Sequence, residues 1–235
     1  MKKTFFAAVA MIFAFSFAAK AQTNFQVFYD FGDDRNNVTT TLEGYYGDNW
    51  GDTYFFIDYD FNAKKDGVPG SYGSYFEIAR GLNFWKDSAV KDLSAHVELN
   101  AGVNFGNINW LFGANYLLHN EDYSNTLTLE LMFKTFKGSS SDLPMQFTAV
   151  WGMQDIFDVK GLRFCGFFDI WGENGYLGSR GDKFVFLSEP QLWYNVGQHF
   201  GCDNLNLGGE VEISCNFAGV HGWKVRPCLG AKWVF

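Results

Sequence analysis

Carboxylates recur at alternate positions within otherwise apolar segments of this 235-residue chain. Glu98 stands between Val97 and Leu99, and Glu210 and Glu212 are separated by a single valine. Carboxylates accept hydrogen bonds and attract cations, while aromatic rings, which make up 20% of the residues, offer flat faces for stacking. This combination is suited to binding a planar, polar solute such as a nucleobase.

The sequence offers few signs of catalysis or of metal binding. No His-x-x-x-His, Cys-x-x-Cys or Gly-x-Ser-x-Gly spacing occurs, and the four histidines are scattered along the chain at His96, His119, His199 and His221. We therefore predict that the protein is not an enzyme and that it uses neither a metal nor a cofactor. One enzymatic alternative stays open, which is lipid hydrolysis at a rim of the fold by His221 and a loop serine.

The elements that position the carboxylates are predicted to be extended strands. Apolar and polar residues alternate without error from Leu93 to Asn104, and nearly as strictly over Thr126–Lys134 and Leu205–Phe217. A period of two arises when the two faces of a strand meet different environments. At about ten residues, each run is long enough to cross a membrane as a tilted strand.

Weaker alternating runs fill the intervals between these three. We predict an all-β fold, an antiparallel transmembrane β-barrel of about twelve strands, because an even count returns both termini to the same side. The predicted strands are 25–31, 38–46, 53–62, 74–85, 93–104, 109–118, 125–136, 145–154, 162–172, 183–194, 205–217 and 223–235.

The first residues have the composition of a cleavable export signal. Lys2 and Lys3 precede an apolar run from Phe5 to Ala19, which is too short to span a bilayer and ends in an Ala-x-Ala site. We predict a signal peptide over residues 1–21, a barrel over residues 22–235, and the outer membrane of a Gram-negative bacterium as the location. Removal of the signal changes the formal net charge from −8 to −11, which disfavours nucleic acid as a partner.

The C-terminal segment has the pattern of a closing strand. From Trp223 to Phe235 every second residue is apolar, and the chain ends on the aromatic Phe235. Such an end resembles the signal that outer-membrane barrels present to the barrel assembly machinery. The expected partners are therefore this machinery and the lipid of the outer membrane.

A soluble lipocalin-like barrel with its apolar face inside would show the same alternation. A small interior has no room for the apolar side chains of twelve strands, so we favour the membrane interpretation. In that register Cys215 and Cys228 lie on opposite faces of neighbouring strands, whereas Cys165 and Cys228 belong to well-separated strands and Cys202 to a turn. All four thiols are expected to be free.

With the apolar face towards lipid, the polar face lines a lumen. Its predicted carboxylates are Glu43, Asp58, Asp60, Glu77, Glu98, Glu130, Asp169, Glu189, Glu210 and Glu212. Its predicted cations are Lys134, Arg163, Lys183, Lys224, Arg226 and Lys232, and its predicted aromatic residues are Phe28, Tyr45, Tyr54, Phe56, Tyr75, Phe167, Trp171 and Trp193. These groups either hold the wall together as cross-strand ion pairs or contact a solute.

Several segments resemble the nucleoside-specific channel-forming, or Tsx-like, porins and related exported proteins grouped with them. They are Thr41–Tyr46 with Trp50 and Thr53–Tyr59, then Tyr75–Arg80, and then Asp142–Met145 followed by Gly161–Phe164. The resemblance implies a monomeric twelve-stranded barrel that passes nucleosides, with Glu43, Tyr45, Asp58 and Glu77 as candidate contacts. Arg80 falls on the apolar face, where it requires a bulge or a position near the membrane surface.

The function predicted from the sequence is passive passage of small polar solutes, with nucleosides as the first candidates. The candidate lumen-lining residues are Glu43, Tyr45, Asp58, Glu77, Glu98, Glu130, Arg163, Glu210, Glu212 and Arg226. The alternative from another class is a closed structural or ligand-binding barrel whose lumen is filled by its own side chains.

Overall fold

The computed structural model of the protein consists almost entirely of β-strands. It describes residues 21–33, 35–61, 71–103, 108–135, 140–174 and 182–235. The strands are β1 (Ala21–Asp30), β2 (Val38–Asp48), β3 (Gly51–Phe61), β4 (Ser71–Leu82), β5 (Leu93–Val103), β6 (Asn109–His119), β7 (Asn125–Lys134), β8 (Met145–Met153), β9 (Leu162–Gly172), β10 (Phe184–Ser188), β11 (Gln191–Tyr194), β12 (Leu205–Cys215) and β13 (Trp223–Val234).

The strands form one closed antiparallel sheet. Each strand pairs with its neighbours in sequence, and β13 returns to pair with β1, where Phe25 lies opposite Trp233. β10 and β11 are two parts of one interrupted strand, because both pair with β9 and β12 without any change of register between them. We call each complete strand of the barrel wall a stave, so β10 and β11 together count as one. The interruption falls at Pro190, which has no N–H to donate to the sheet. The barrel therefore has twelve staves, and the predicted fold class is confirmed.

The strand boundaries follow the alternation in the sequence. β5 begins at Leu93 and β9 spans Leu162–Gly172, as predicted, and the other ends differ from the predicted ranges by at most four residues. The predicted strand ends at 62, 104 and 136 lie outside the described residues. Residues 1–20 also lie outside them, and with these almost all of the predicted signal peptide. Among the described residues, no helix is long and apolar enough to cross a membrane.

The two faces of the sheet carry opposite kinds of side chain. On β1, Phe25, Val27 and Tyr29 point outward and are exposed, whereas Gln26 and Phe28 point inward and are 1% and 3% exposed. The same alternation continues around the ring. A soluble barrel with an apolar interior is excluded by this arrangement, which is that of a barrel surrounded by lipid.

Arg80 lies on the outward face of β4, where the sequence places it, and needs no bulge. It lies near the turn between β2 and β3, where its guanidinium pairs with the carboxylate of Asp48 at 2.9 Å and donates a hydrogen bond to Thr53. Asp48 is the last residue of β2, at the end of the barrel that carries both termini. Of the two possibilities expected for Arg80, a bulge or a position near the membrane surface, the structure shows the second.

Candidate functional site

All ten candidate residues predicted from the sequence lie on the inward face of the barrel. The register places them in rows of cross-strand neighbours: Gln26, Thr41, Asp58 and Tyr75 follow one another from β1 to β4. The next row contains Glu43, Phe56 and Glu77. Tyr45 and Arg163 lie closer to the end that carries the termini.

The lumen divides into four walls that differ in exposure and in charge. The closing wall consists of the inward residues of β13 and β1, together with Glu212 and Ser214 of β12. The packed wall consists of the inward residues of β5 to β8. The acidic wall on β2 to β4 lies between them on one side, and the facing wall, formed by β9 to β11 and the rest of β12, lies between them on the other. Most inward side chains of the closing and packed walls are buried, whereas the carboxylates of the other two walls are partly exposed.

The closing wall is held together by a buried charge network. Arg226 donates hydrogen bonds to Glu212 and to Ser214, and all three side chains are buried. Arg35, from the loop between β1 and β2, reaches the other oxygen of Glu212 at 2.6 Å and also pairs with Asp30 at 3.3 Å. Of the two roles that the sequence left open for these charged groups, Arg226 and Glu212 form a cross-strand ion pair, and a loop arginine completes it.

Two glycines allow aromatic rings to lie flat against the same part of the lumen. Gly208 and Gly230 are neighbours in one row, and a Cβ on Gly230 would lie 2.7 Å from the ring of Phe28. Phe28 and Trp193 therefore approach each other over these glycines, with ring centroids 5.6 Å apart. Lys232 lies over the Trp193 ring at 4.3 Å and makes no ion pair within the described residues.

The packed wall contains a histidine between two carboxylates. His96 and Glu98 are two residues apart on β5, so both point inward, and Glu130 on β7 points towards them from the stave after next. The Nε2 atom of His96 lies 3.0 Å from a Glu98 oxygen, and its Nδ1 atom lies 3.9 Å from Glu130. The same wall includes Lys134, which donates a hydrogen bond to Gln146 and lies 4.0 Å from the centre of the Trp171 ring.

The acidic wall has carboxylates held by neutral hydrogen-bond donors. Thr41 donates to Asp58 and Thr39 donates to Asp60, each at 2.5 Å, and Tyr75 donates to Glu77 at 2.6 Å. Glu43 accepts hydrogen bonds from the amides of Asn24 and Gln26. Hydroxyl and amide donors fix the orientation of a carboxylate but leave its charge uncompensated.

The facing wall repeats this pattern on the other side of the lumen. Thr148 donates to Asp169 at 2.5 Å, and Gln191 donates to Glu210 at 2.8 Å. Asp58 acts electrostatically on Glu189 and on Glu210 across the lumen. The two partly exposed walls therefore present carboxylates on both sides of the lumen, and we call the space between them the slot.

Aromatic rings lie among the carboxylates of the slot. Phe56 packs against Tyr54 and Tyr75, with ring centroids 6.1 and 5.9 Å apart. Phe167 points inward from β9 and is partly exposed. The slot thus presents ring faces beside hydrogen-bond acceptors, as the sequence predicted.

Two details of the sequence-based interpretation were wrong. Lys183 lies outside the lumen, one residue before β10, where its exposed side chain pairs with Asp142 at 2.9 Å. Cys165 and Cys228 are not far apart, because both belong to a buried cluster with Phe28 and Trp193. All four cysteines are nevertheless free, as predicted.

Sequence reasoning named Glu98 and Glu130 as lumen-lining candidates but missed their grouping with His96, and it missed Arg35. The pair of His96 and Glu98 could have been found from the spacing His96-x-Glu98, which puts both side chains on one face of a strand. Arg35 gave no such signal, because no local pattern indicates that a loop residue turns into the lumen. His221, proposed for a rim hydrolase, pairs with Asp182 at 2.9 Å on the exposed surface.

Comparison with known proteins supports the fold. The solved structure of the NanC porin aligns with a TM-score of 0.57 at 8% identity, covering 90% of this chain and 98% of that one. Omp33, an outer membrane protein of Acinetobacter baumannii, aligns with a TM-score of 0.45 at 11% identity, covering 92% and 98%. OccK1 (OpdK) of Pseudomonas aeruginosa aligns with a TM-score of 0.40 at 10% identity, covering 93% and 98%.

The sequence comparisons add a family. The profile of a family described as "Domain of unknown function (DUF5020)" matches residues 21–235. A comparison with curated proteins found no match.

Proposed function

Because the chain belongs to the DUF5020 family, whose description names no activity, its function is inferred from the lumen, and we propose a passive outer-membrane channel for small polar solutes. The solute path is the slot between the acidic and facing walls. The closing and packed walls act as scaffold on either side of it.

The observation that carries this proposal is the way the slot carboxylates are held. Asp58, Asp60, Glu77, Asp169 and Glu210 each accept a hydrogen bond from a hydroxyl or an amide. The buried cations are placed elsewhere, on the closing and packed walls. A solute in the slot therefore meets carboxylates whose direct hydrogen-bond donors are neutral, which favours cations and neutral molecules with hydrogen-bond donors and disfavours anions.

Nucleosides are the first solutes to test. Their bases stack on aromatic faces, and their amino and hydroxyl groups donate hydrogen bonds to carboxylates. Phe56 and Tyr75 beside Asp58 and Glu77 provide both kinds of contact, and the resemblance to the Tsx-like porins points to the same solutes.

Conductance of the purified protein in planar bilayers tests the proposal. We expect discrete steps, a reversal potential in a salt gradient that indicates cation preference, and a reversible decrease in current on addition of a nucleoside. Asp58→Asn combined with Glu77→Gln should shift the reversal potential towards zero. Glu130→Gln is the matched control, because it removes a carboxylate from the packed wall, where most inward side chains are buried.

A second candidate is a closed barrel that does not transport. The buried network of Arg35, Asp30, Glu212 and Arg226 favours it, because ion pairs of this kind fill a lumen as well as they hold a wall. Protein that inserts into bilayers with native gel mobility but shows no conductance would support this candidate and contradict the channel. Release of fatty acid from phospholipid by the purified protein would instead support the rim hydrolase.

Export and assembly complete the proposal. We place signal cleavage before Gln22, membrane insertion as a monomer, and recognition of Phe235 by the barrel assembly machinery. The side chain of Phe235 is exposed, and its N–H donates to the carbonyl of Thr23 across the closing seam. Phe235→Asp should reduce the amount of heat-modifiable protein in outer membranes much more than it reduces synthesis.

A further inference from the structure

The histidine of the packed wall lies in a buried group of three potential metal ligands. One ligand atom each from His96, Glu98 and Glu130 can be chosen so that all three lie within 4.8 Å of one another. Their side chains are 4%, 9% and 10% exposed. Two carboxylates and an imidazole form a mixed nitrogen and oxygen set that suits divalent transition metals.

Glu130 has no other partner that would account for its burial. Its carboxylate accepts no hydrogen bond from any residue that the structure describes, and its nearest ion-pair partner is the Nδ1 atom of His96, 3.9 Å away. The other charged groups acting on it, Glu98, Asp169 and Asp52, are all carboxylates. A buried carboxylate in such surroundings is stabilised either by a bound proton or by a positive charge close to it, and a metal ion supplies the latter.

The separation of 3.9 Å is too long for a hydrogen bond but close to the spacing of two ligands of one ion. Ligands about 2.1 Å from a tetrahedral Zn²⁺ lie about 3.4 Å from each other, so a movement of about half an ångström brings Glu130 into place. Asn115 lies 3.3 Å from the same nitrogen of His96. A rotation of its amide by half a turn would present the oxygen as a third ligand.

Glu98 supports this arrangement from the other side of the ring. It lies 3.0 Å from Nε2 of His96, so a proton on Nε2 is donated to Glu98 and Nδ1, which lies 3.3 Å from Asn115 and 3.9 Å from Glu130, keeps its lone pair. Metal-binding histidines commonly have a carboxylate in this position, which fixes the ring and its tautomer.

We propose that His96 Nδ1 and Glu130 bind a divalent transition metal such as Zn²⁺ in the packed wall, with Asn115 as an additional ligand and Glu98 as the residue that positions the histidine. The proposal does not depend on whether the barrel transports solutes. The bound ion supplies the positive charge that the buried carboxylates lack.

The test uses the full barrel in detergent, stripped of metal with a chelator and titrated with Zn²⁺ by calorimetry. We expect about one equivalent to bind, a loss of affinity of roughly 100-fold in His96→Asn and in Glu130→Gln, and a loss of about tenfold in Glu98→Gln. Asn115→Asp should tighten binding. Glu43→Gln, which removes a carboxylate from the acidic wall, should leave the affinity unchanged.

Titration with Co²⁺ gives an independent reading, because a site with a nitrogen ligand produces visible absorption bands that should disappear in His96→Asn. Each variant is first checked for heat-modifiable gel mobility, so that misfolding is not mistaken for loss of a ligand. Absence of Zn²⁺ binding by correctly folded wild type would overturn the proposal. Binding that persists in both His96→Asn and Glu130→Gln would overturn it equally.

Discussion

The closing wall and the acidic wall meet at β1 and β2, and both consist of polar side chains at alternate positions. In the closing wall Glu212 faces Arg226 and Arg35, and the side chains of Glu212 and Arg226 are almost fully buried. In the acidic wall Asp58 and Asp60 face threonine hydroxyls and remain partly exposed. The comparison teaches that an inward polar residue does not by itself line a passage. In these two walls, the carboxylate with cationic partners is the buried one and the carboxylates with hydroxyl partners are the partly exposed ones.

The largest expected difference between the two walls is their accessibility to water. Gln26 and Asp58 lie in one row, two staves apart, which makes them a matched pair. With the four native cysteines replaced, Asp58→Cys should react with a small, charged thiol reagent roughly 100-fold faster than Gln26→Cys, because the thiolate must be reached from water. Equal rates would mean that the closing wall is as open as the acidic wall.

The next largest effect is expected on stability. Glu212→Gln leaves Arg226 buried without its carboxylate and should lower the free energy of unfolding by about 3 kcal/mol. Glu210→Gln, in the neighbouring row, keeps an oxygen that accepts from the Gln191 amide and leaves no cation without its partner, so it should cost less than about 1 kcal/mol. Urea unfolding in lipid vesicles, followed by tryptophan fluorescence, measures both; similar losses would remove the distinction between scaffold and slot.

A smaller effect concerns the glycines under the aromatic rings. Gly230→Val would place a side chain against Phe28 and should destabilise the barrel by about 1–3 kcal/mol, as expected for an overpacked interior. Gly152→Ala is the control, because the nearest atom to its new Cβ is the hydroxyl of Thr126, at 3.2 Å. The same unfolding experiment applies. A stable Gly230→Val variant would indicate that the closing wall is loosely packed.

The smallest effect is expected outside the lumen. Asp48→Asn weakens the ion pair with Arg80 on the outer surface, where water and salt screen the charges. We expect the unfolding curve to coincide with that of the wild type. A loss comparable to that of Glu212→Gln would show that burial is not what gives the closing-wall ion pair its importance.

The fold was predictable because lipid and lumen impose opposite requirements on successive residues. The start of β5 at Leu93 and both ends of β9 followed directly from this alternation. Lys183 was assigned wrongly because it lies one residue before β10, where the pattern offers no sign that the wall has ended. Pro190 interrupts a stave without displacing it, so the count of twelve was unaffected.

The division of the lumen into walls was not predictable. Alternation indicates which side chains point inward, but not which of them meet across the interior, since that depends on how the closed sheet brings distant staves together. Phe28 and Trp193 are in contact although β1 and β11 are not neighbouring strands. Arg35 reaches Glu212 from a loop, and its conformation is set by contacts that no strand pattern encodes.

The threonine, tyrosine and amide donors of the acidic wall also have a kinetic consequence. Its carboxylates occupy three successive levels, with Asp60 at the first, Asp58 at the second, and Glu43 and Glu77 at the third. Each is already held in place and keeps free lone pairs, so in the channel that we propose a solute would exchange one acceptor for the next while the wall stays still. The free-energy profile along the slot would then be a series of shallow minima without a deep one, which favours flux over residence time. Such a channel would suit abundant solutes and would be a poor scavenger of scarce ones.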